Sequence, residues 1–238
     1  MHASRFPRCL AILLVCLLNA VTSRSGDPSA PLLPTAKAMR VSKDFAVDGD
    51  LAKSAWRKAA PVLIERATRD AAVLPALATT VRVLWSDNFL YLGYSCPFTQ
   101  ITTFEPAELD KERFGLWDRD VVEVFINADA ANLRHYTEYE LSPNGEKLDL
   151  VLKLPDKDFK WSSRFETAVK IDPAARTWTA EMKIPLASLS DNKPSPGTRW
   201  RINFYRHDAA NQAFLAWSPT LNGNFHTPER FGTLVFAE

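Results

Sequence analysis

The chain has 238 residues, 46% of them hydrophobic, and a formal charge of +1. That supplies apolar material for one sizeable core and too little positive charge for a nucleic-acid surface. Of the three cysteines, Cys9 and Cys16 fall in the first 23 residues; without that segment Cys96 has no intramolecular disulfide partner, and core burial must hold the fold together.

Arg5 and Arg8 precede an apolar run from Cys9 to Leu18, and small residues follow at Ala20, Thr22 and Ser23. This is the layout of a secretory signal peptide over residues 1–23, with a run too short for a comfortable membrane span. Its removal leaves 27 basic against 28 acidic residues. Leu14-Val15 places no small residue before Cys16, so no lipid anchor is expected, and no membrane contact after cleavage. Residues 24–37, with Pro28, Pro31 and Pro34 among Ser, Gly and Ala, read as a semi-extended leader. The domain is expected over 38–238.

Asp50 reads as the N-cap of a short helix through Lys58, with Trp56 pinning that helix to a sheet. Beyond it the pattern is almost all strand. Thr79 to Trp85 and Phe89 to Ser95 flank Ser86-Asp87-Asn88 as a hairpin. Alternating runs follow around 120–127, 135–142, 147–153, 164–171, 177–184, 199–207 and 232–237. The predicted fold class is all-β: an antiparallel, jelly-roll-like β-sandwich with one short N-terminal helix, as one domain and a monomer. Trp85, Trp178, Trp200 and Trp217 are expected in the core or framework, Trp161 is unassigned, and Cys96 is expected as a small buried filler.

The run Leu116-Trp117-Asp118-Arg119-Asp120-Val121-Val122-Glu123-Val124-Phe125-Ile126 sets a tryptophan and several carboxylates at the mouth of a strand. Val122, Val124 and Ile126 share one face; Val121, Glu123 and Phe125 share the other. Fully extended, Trp117 would stand about 20 Å from Glu123 at roughly 3.3 Å per residue, so a joint site needs Trp117 on a loop that curls back. The plainer reading makes Trp117 a rim residue and Glu123 a solvated strand residue.

The segment Trp217-Ser218-Pro219-Thr220-Leu221-Asn222-Gly223-Asn224-Phe225-His226-Thr227-Pro228-Glu229-Arg230-Phe231-Gly232, followed by Thr233 to Phe236, resembles the end of the family 9 carbohydrate-binding modules. The Trp117 segment resembles the same family. So do Val47-Asp48-Gly49-Asp50-Leu51 with Trp56, Val81 to Trp85 with Leu90-Tyr91-Leu92, and Trp178 with Glu181, Ile184 and Pro185. These motifs run in family order across nearly all of the chain after residue 38. The resemblance implies a secreted, non-catalytic module that docks onto poly- or oligosaccharide, serving a separate glycoside hydrolase in carbohydrate catabolism. It implies two aromatic walls, Trp117 and Phe225, the latter where the family usually has a larger tryptophan. Asn222 and Glu123 match residues that bond sugar hydroxyls. Physically, a pyranose buries its C–H faces against rings, and its hydroxyls need partners once desolvated. Glu140 stands where a well-described branch carries an arginine that reads a reducing end, so that specificity is not implied.

Tyr136, Glu138 and Glu140 share a strand face and, with Glu123, would form an acidic surface needing cations such as Arg119 or Arg206. A salt-bridged outer face and a binding role both fit these glutamates. Arg206 shares the parity of Trp200, Ile202 and Phe204, so the strand bends there or Arg206 sits at a buried edge facing a pocket. No cofactor is firmly expected. Family members often bind structural calcium, for which Asp48, Asp50, Asn127 and Asp129 are loop donors without a contiguous calcium-loop pattern. Zinc is not expected, because the histidines are widely spaced. Two other functions stand as alternatives. One is a haem-binding electron-transfer β-sandwich using Met39 or Met182 with histidine or lysine. The other is glycoside hydrolysis by the domain itself.

Overall fold

A computed structural model describes residues 32–238; the expected signal peptide and most of the expected leader lie outside the described residues. The strands are β1 (Thr35–Arg40), β2 (Val62–Ile64), β3 (Arg66–Ala67), β4 (Thr79–Trp85), β5 (Phe89–Pro97), β6 (Val121–Asn127) and β7 (His135–Leu141). They continue as β8 (Lys147–Lys153), β9 (Asp156–Asp158), β10 (Glu166–Asp172), β11 (Thr177–Pro185), β12 (Arg199–Asp208), β13 (Ala213–Ala216) and β14 (Gly232–Ala237). No helix among the described residues is long and apolar enough to cross a membrane.

All strands join one curled sheet in the order β10-β11-β5-β4-β1-β14-β12-β6-β7-β8-β9, with β2 on β4 and β13 on β12. The inner faces of its two wings share a core that includes Val83, Leu92, Trp178 and Met182 from one wing and Val124, Ile126, Tyr139 and Phe204 from the other. Trp85, Trp200 and Trp217 belong to that core, and Trp161 packs half-buried against it. Cys96 is fully buried there, and burial pushes its thiol up to about 12, which keeps it unreactive.

Two expectations need correction. The ladders are antiparallel except at β1, which lies parallel to both β14 and β4. Three residues of the expected leader therefore belong to the sheet. The expected helix from Asp50 to Lys58 is only a 3-10 turn over Ser54–Lys58. Asp50 caps the amide of Ala52 at 2.8 Å, while the Glu181 carboxylate takes the amides of Asp48 and Gly49 and the Lys53 ammonium. Glu181 of β11 thus ties down the residues just ahead of the turn and the Lys53 side chain within reach of it. Trp56 is buried as expected and donates its indole N–H to Glu181 at 2.7 Å.

Two smaller apolar clusters cover the outer faces. Trp56, Leu84 and Tyr91 lie outside the β4–β5 wing. Phe125, Tyr136, Leu150 and Tyr205 lie outside the β6–β7–β8–β12 wing, and the candidate site is built on them.

Candidate functional site

Strand alternation sets the floor of the site. Val122 and Val124 point into the core, so Glu123 and Phe125 point outward. Glu123 pairs across the ladder with Tyr205 of β12 on one side and Glu140 of β7 on the other, and Phe125 pairs with Glu138. Above this floor opens a cavity of about 500 Å³, lined among others by Trp117, Glu123, Glu138, Phe159, Asn224, Phe225 and His226.

The loop from β5 to β6 curls back as a joint site requires. Trp117 sits in a 3-10 turn, Leu116–Asp118, entered through Gly115 at φ +83°. The Asp120 carboxylate accepts the amides of Thr102 (2.5 Å) and Ala209 (3.0 Å). Arg113 bonds the buried Glu146 carboxylate. A ring nitrogen of His207 bonds the Trp117 carbonyl at 2.8 Å. The Trp117 indole is half-buried against Phe114 and Phe159. Phe225 lies flat on Tyr205, ring centroids 4.2 Å apart. At the mouth Phe114 is 69% exposed and Phe214 is 48% exposed.

Not every expected residue reaches this cavity. Trp117, Glu123 and Phe225 line it; Asn222, Glu140 and Arg206 are outside its lining. Asn222 is exposed and bonds Thr227 and the Asn224 amide, which fixes the loop and leaves Asn224 to line the cavity. Glu140 is fully buried behind the floor. Arg206 keeps its core parity on the far face of β12. There it bonds Asp208 (2.8 Å), the Thr79 hydroxyl (2.8 Å) and the Pro97 carbonyl (2.5 Å). A buried carboxylate, not a bend or a cavity, satisfies its charge.

The glutamates are not a salt-bridged outer face. Glu123, Glu138 and Glu140 each offer an oxygen such that all three lie within 4.8 Å of one another. At an effective dielectric near 20, each ionised pair at that separation repels by about 3 kcal/mol. Burial and mutual repulsion push Glu123 and Glu140 well above the usual carboxylate range, and burial pushes Glu138 up to about 7. Arg119 does not compensate them; its guanidinium stacks over Phe104. The Lys157 ammonium on β9 is the compensating charge. It also donates to Nε2 of His226 at 2.5 Å, and His226 Nδ1 meets the Tyr136 hydroxyl at 2.8 Å. Burial and Lys157 push His226 down to about 4, so it is neutral at pH 7 and carries its proton on Nδ1.

Sequence reasoning did not single out Phe159, Lys157, His226 or Asn224. The Leu154-Pro155 turn entering the short β9 hairpin was the signal for the first two.

The four candidate calcium donors do not form one site. Asp48 holds the Lys53 ammonium at 2.6 Å, and Asp50 bonds Ala52. At the β6–β7 turn, Asn127 donates to the carbonyls of Asn132 and His135 while Asp129 caps Ala131. An ammonium already occupies the first oxygen cluster; at the second, the Asn127 amide nitrogen is spent on two carbonyls while its oxygen has no hydrogen-bond partner among the described residues.

An all-β domain with ring-bearing walls and a hydrogen-bonding floor is a small-ligand binding module by build. The chain belongs to the carbohydrate family 9 binding domain-like family, whose model matches residues 47–238. It is 26% identical over 180 residues to an extracellular protein of Arthroderma benhamiae, covering 68% of this chain and 80% of that one. It is also 26% identical over 159 residues to endo-1,4-beta-xylanase A of Thermotoga maritima, covering 65% of this chain but only 13% of the xylanase. In fold it matches a carbohydrate binding module family 9 from Caldicellulosiruptor kristjanssonii solved with cellotriose. The TM-score is 0.65 at 16% identity, over 86% of this chain and 94% of that one.

Proposed function

We propose that this domain is a secreted, non-catalytic module that seats a sugar ring of a poly- or oligosaccharide between Trp117 and Phe225. The observation that carries this reading is the convergence of those two side chains on one cavity whose floor presents Glu123 and Glu138. The rings cover the apolar faces of a pyranose, and the carboxyls with Asn224 meet its hydroxyls. With its pKa pushed up to about 7 by burial, Glu138 is able to donate as well as accept near neutral pH. Family membership and the cellotriose-bound neighbour support the ligand class.

Absence of bond cleavage is part of the proposal. Glu123 and Glu138 sit on adjacent strands of one floor rather than on either side of a bound ring, and burial, which favours their protonated forms, opposes a standing nucleophile. The haem reading draws no support from Met182, which is buried in the core, whereas His207 and His226 line the outer cavity. The xylanase relative and the extracellular relative support export and service to a glycoside hydrolase; that the domain acts as a monomer is part of the proposal.

Calorimetric titration of the mature chain with glucose, cello-oligosaccharides and xylo-oligosaccharides tests the proposal. Saturable binding to at least one, lost in Trp117→Ala, is the expected result. No binding to any soluble or insoluble glycan would overturn it.

A further inference from the structure

The three glutamates behind and on the cavity floor are hard to account for as a structural feature. They come from two neighbouring strands, Glu123 from β6 with Glu138 and Glu140 from β7, and the ladder fixes their separations. Exposures are 2%, 4% and 0%. Both oxygens of Glu140 and one of Glu138 are buried without a hydrogen-bond partner among the described residues. Buried carboxyl oxygens are ordinarily paired, and an isolated set of three needs a compensating charge. Lys157 approaches from the solvent side and is engaged by His226.

We propose that Glu123, Glu138 and Glu140 form a binding site for a hard divalent cation of calcium's size. Oxygens within 4.8 Å of one another fit a common ion at the 2.3–2.6 Å distances that calcium accepts. An ion held there gives a Glu140 oxygen, buried without a hydrogen-bond partner, the positive charge it lacks. Glu123 and Glu138 open onto the cavity, which gives the ion its entry path and leaves its outer side free for water or hydroxyl ligands. Tyr136, Tyr205 and Phe125 pack around the cluster and exclude bulk water from the other sides. The site stands whether or not a sugar fills the cavity, so its test uses the metal alone.

The mature chain, stripped with chelator, is titrated at pH 7.5 with terbium as a luminescent stand-in for calcium. Tyr136 and Tyr205 are the sensitisers. One terbium per chain, displaced by excess calcium, is expected. Glu140→Gln should weaken that binding at least tenfold, and Glu138→Gln provides the same comparison if Glu140→Gln does not fold. Calcium should raise the melting midpoint of the parent and not that of the variant. Absence of saturable terbium binding, or binding unchanged in these variants, overturns the site and leaves protons shared among the three carboxyls. Sugar titration of the same stripped protein reports on the cavity separately.

Discussion

Phe225 is held to Tyr205 twice: the rings lie within 10° of parallel, and the Tyr205 hydroxyl donates to the Phe225 carbonyl at 2.9 Å. The second wall of the cavity is thus fixed by both its side chain and its backbone to a fully buried strand residue. Phe225→Ala should weaken sugar binding by about 1.5–3 kcal/mol through lost apolar burial. Phe225→Trp keeps the stack with a larger face and should hold or raise affinity. Calorimetry on both variants checks the pair, and a tighter-binding alanine variant would disprove the wall.

Trp117→Ala should lower affinity about ten- to hundredfold, a loss of roughly 1.5–3 kcal/mol, with little change in melting. Its indole is half-buried against Phe114 and Phe159, outside the main core. A core tryptophan would instead cost about 3–5 kcal/mol of stability. An early-melting variant whose folded fraction binds normally would return Trp117 to the framework.

Arg206→Met should cost about 3–5 kcal/mol of stability by leaving the Asp208 carboxylate buried without its partner. Sugar affinity of the folded fraction should not change, because Arg206 lies on the far face of β12 from the cavity. A binding defect without a stability defect would place it at the site after all.

Stability in the presence of chelator should fall as pH rises from 5 to 8. Glu138, raised to about 7 in the fold, contributes stability that is complete below its ordinary 4.5 and lost as pH rises through 7. His226, depressed to about 4, acts oppositely, adding stability as pH climbs from 4 to 6.5. Those two nearly offset below 6.5, each worth about 3 kcal/mol. Glu123 and Glu140, also raised by burial and facing Lys157, Tyr136 and Tyr205, set the net sign. Glu140→Gln should therefore raise the midpoint at pH 8 and flatten the profile. A midpoint that climbs across this range in the parent would contradict the buried cluster.

Gly232→Ala should destabilise the fold by about 1–3 kcal/mol through overpacking. An added Cβ would strike the Trp217 ring and lie 2.7 Å from the Pro34 carbonyl. Thermal melts read this directly, and an unchanged midpoint would show that Trp217 is free to move aside.

The long strands were legible because alternation survives wherever one face is buried. Val122, Val124 and Ile126 fixed the orientation of Glu123 without knowledge of any partner strand. Glu140 and Glu138 were placed on the right face by the same parity, yet their burial was not legible, since their ladder neighbours Leu148 and Leu150 of β8 belong to an apolar cluster assembled from several strands and loops. Asn222 failed as a cavity residue because Gly223, at φ +77°, turns the loop so that Asn224 faces inward. Arg206 shows the limit from the other side: its parity was read correctly, but Thr79 and the Pro97 carbonyl come from strands more than a hundred residues away. The shortening of the expected helix to a 3-10 turn at Ser54–Lys58 was not legible, because Glu181, which anchors the segment ahead of it, is equally distant in sequence.

The family match begins at residue 47, but β1, at Thr35–Arg40, supplies the strand between β4 and β14. A chain shortened to the matched residues would carry two bare edges facing each other across a gap one strand wide. Such a gap accepts any extended segment with small residues at alternate positions, as Ala36 and Ala38 provide here. The shortened form should therefore self-associate by lending strands between copies, visible as dimers or larger species on size exclusion. A synthetic peptide spanning residues 32–42 should return it to a single-copy domain, making the amino-terminal strand a detachable part whose docking can be timed and titrated.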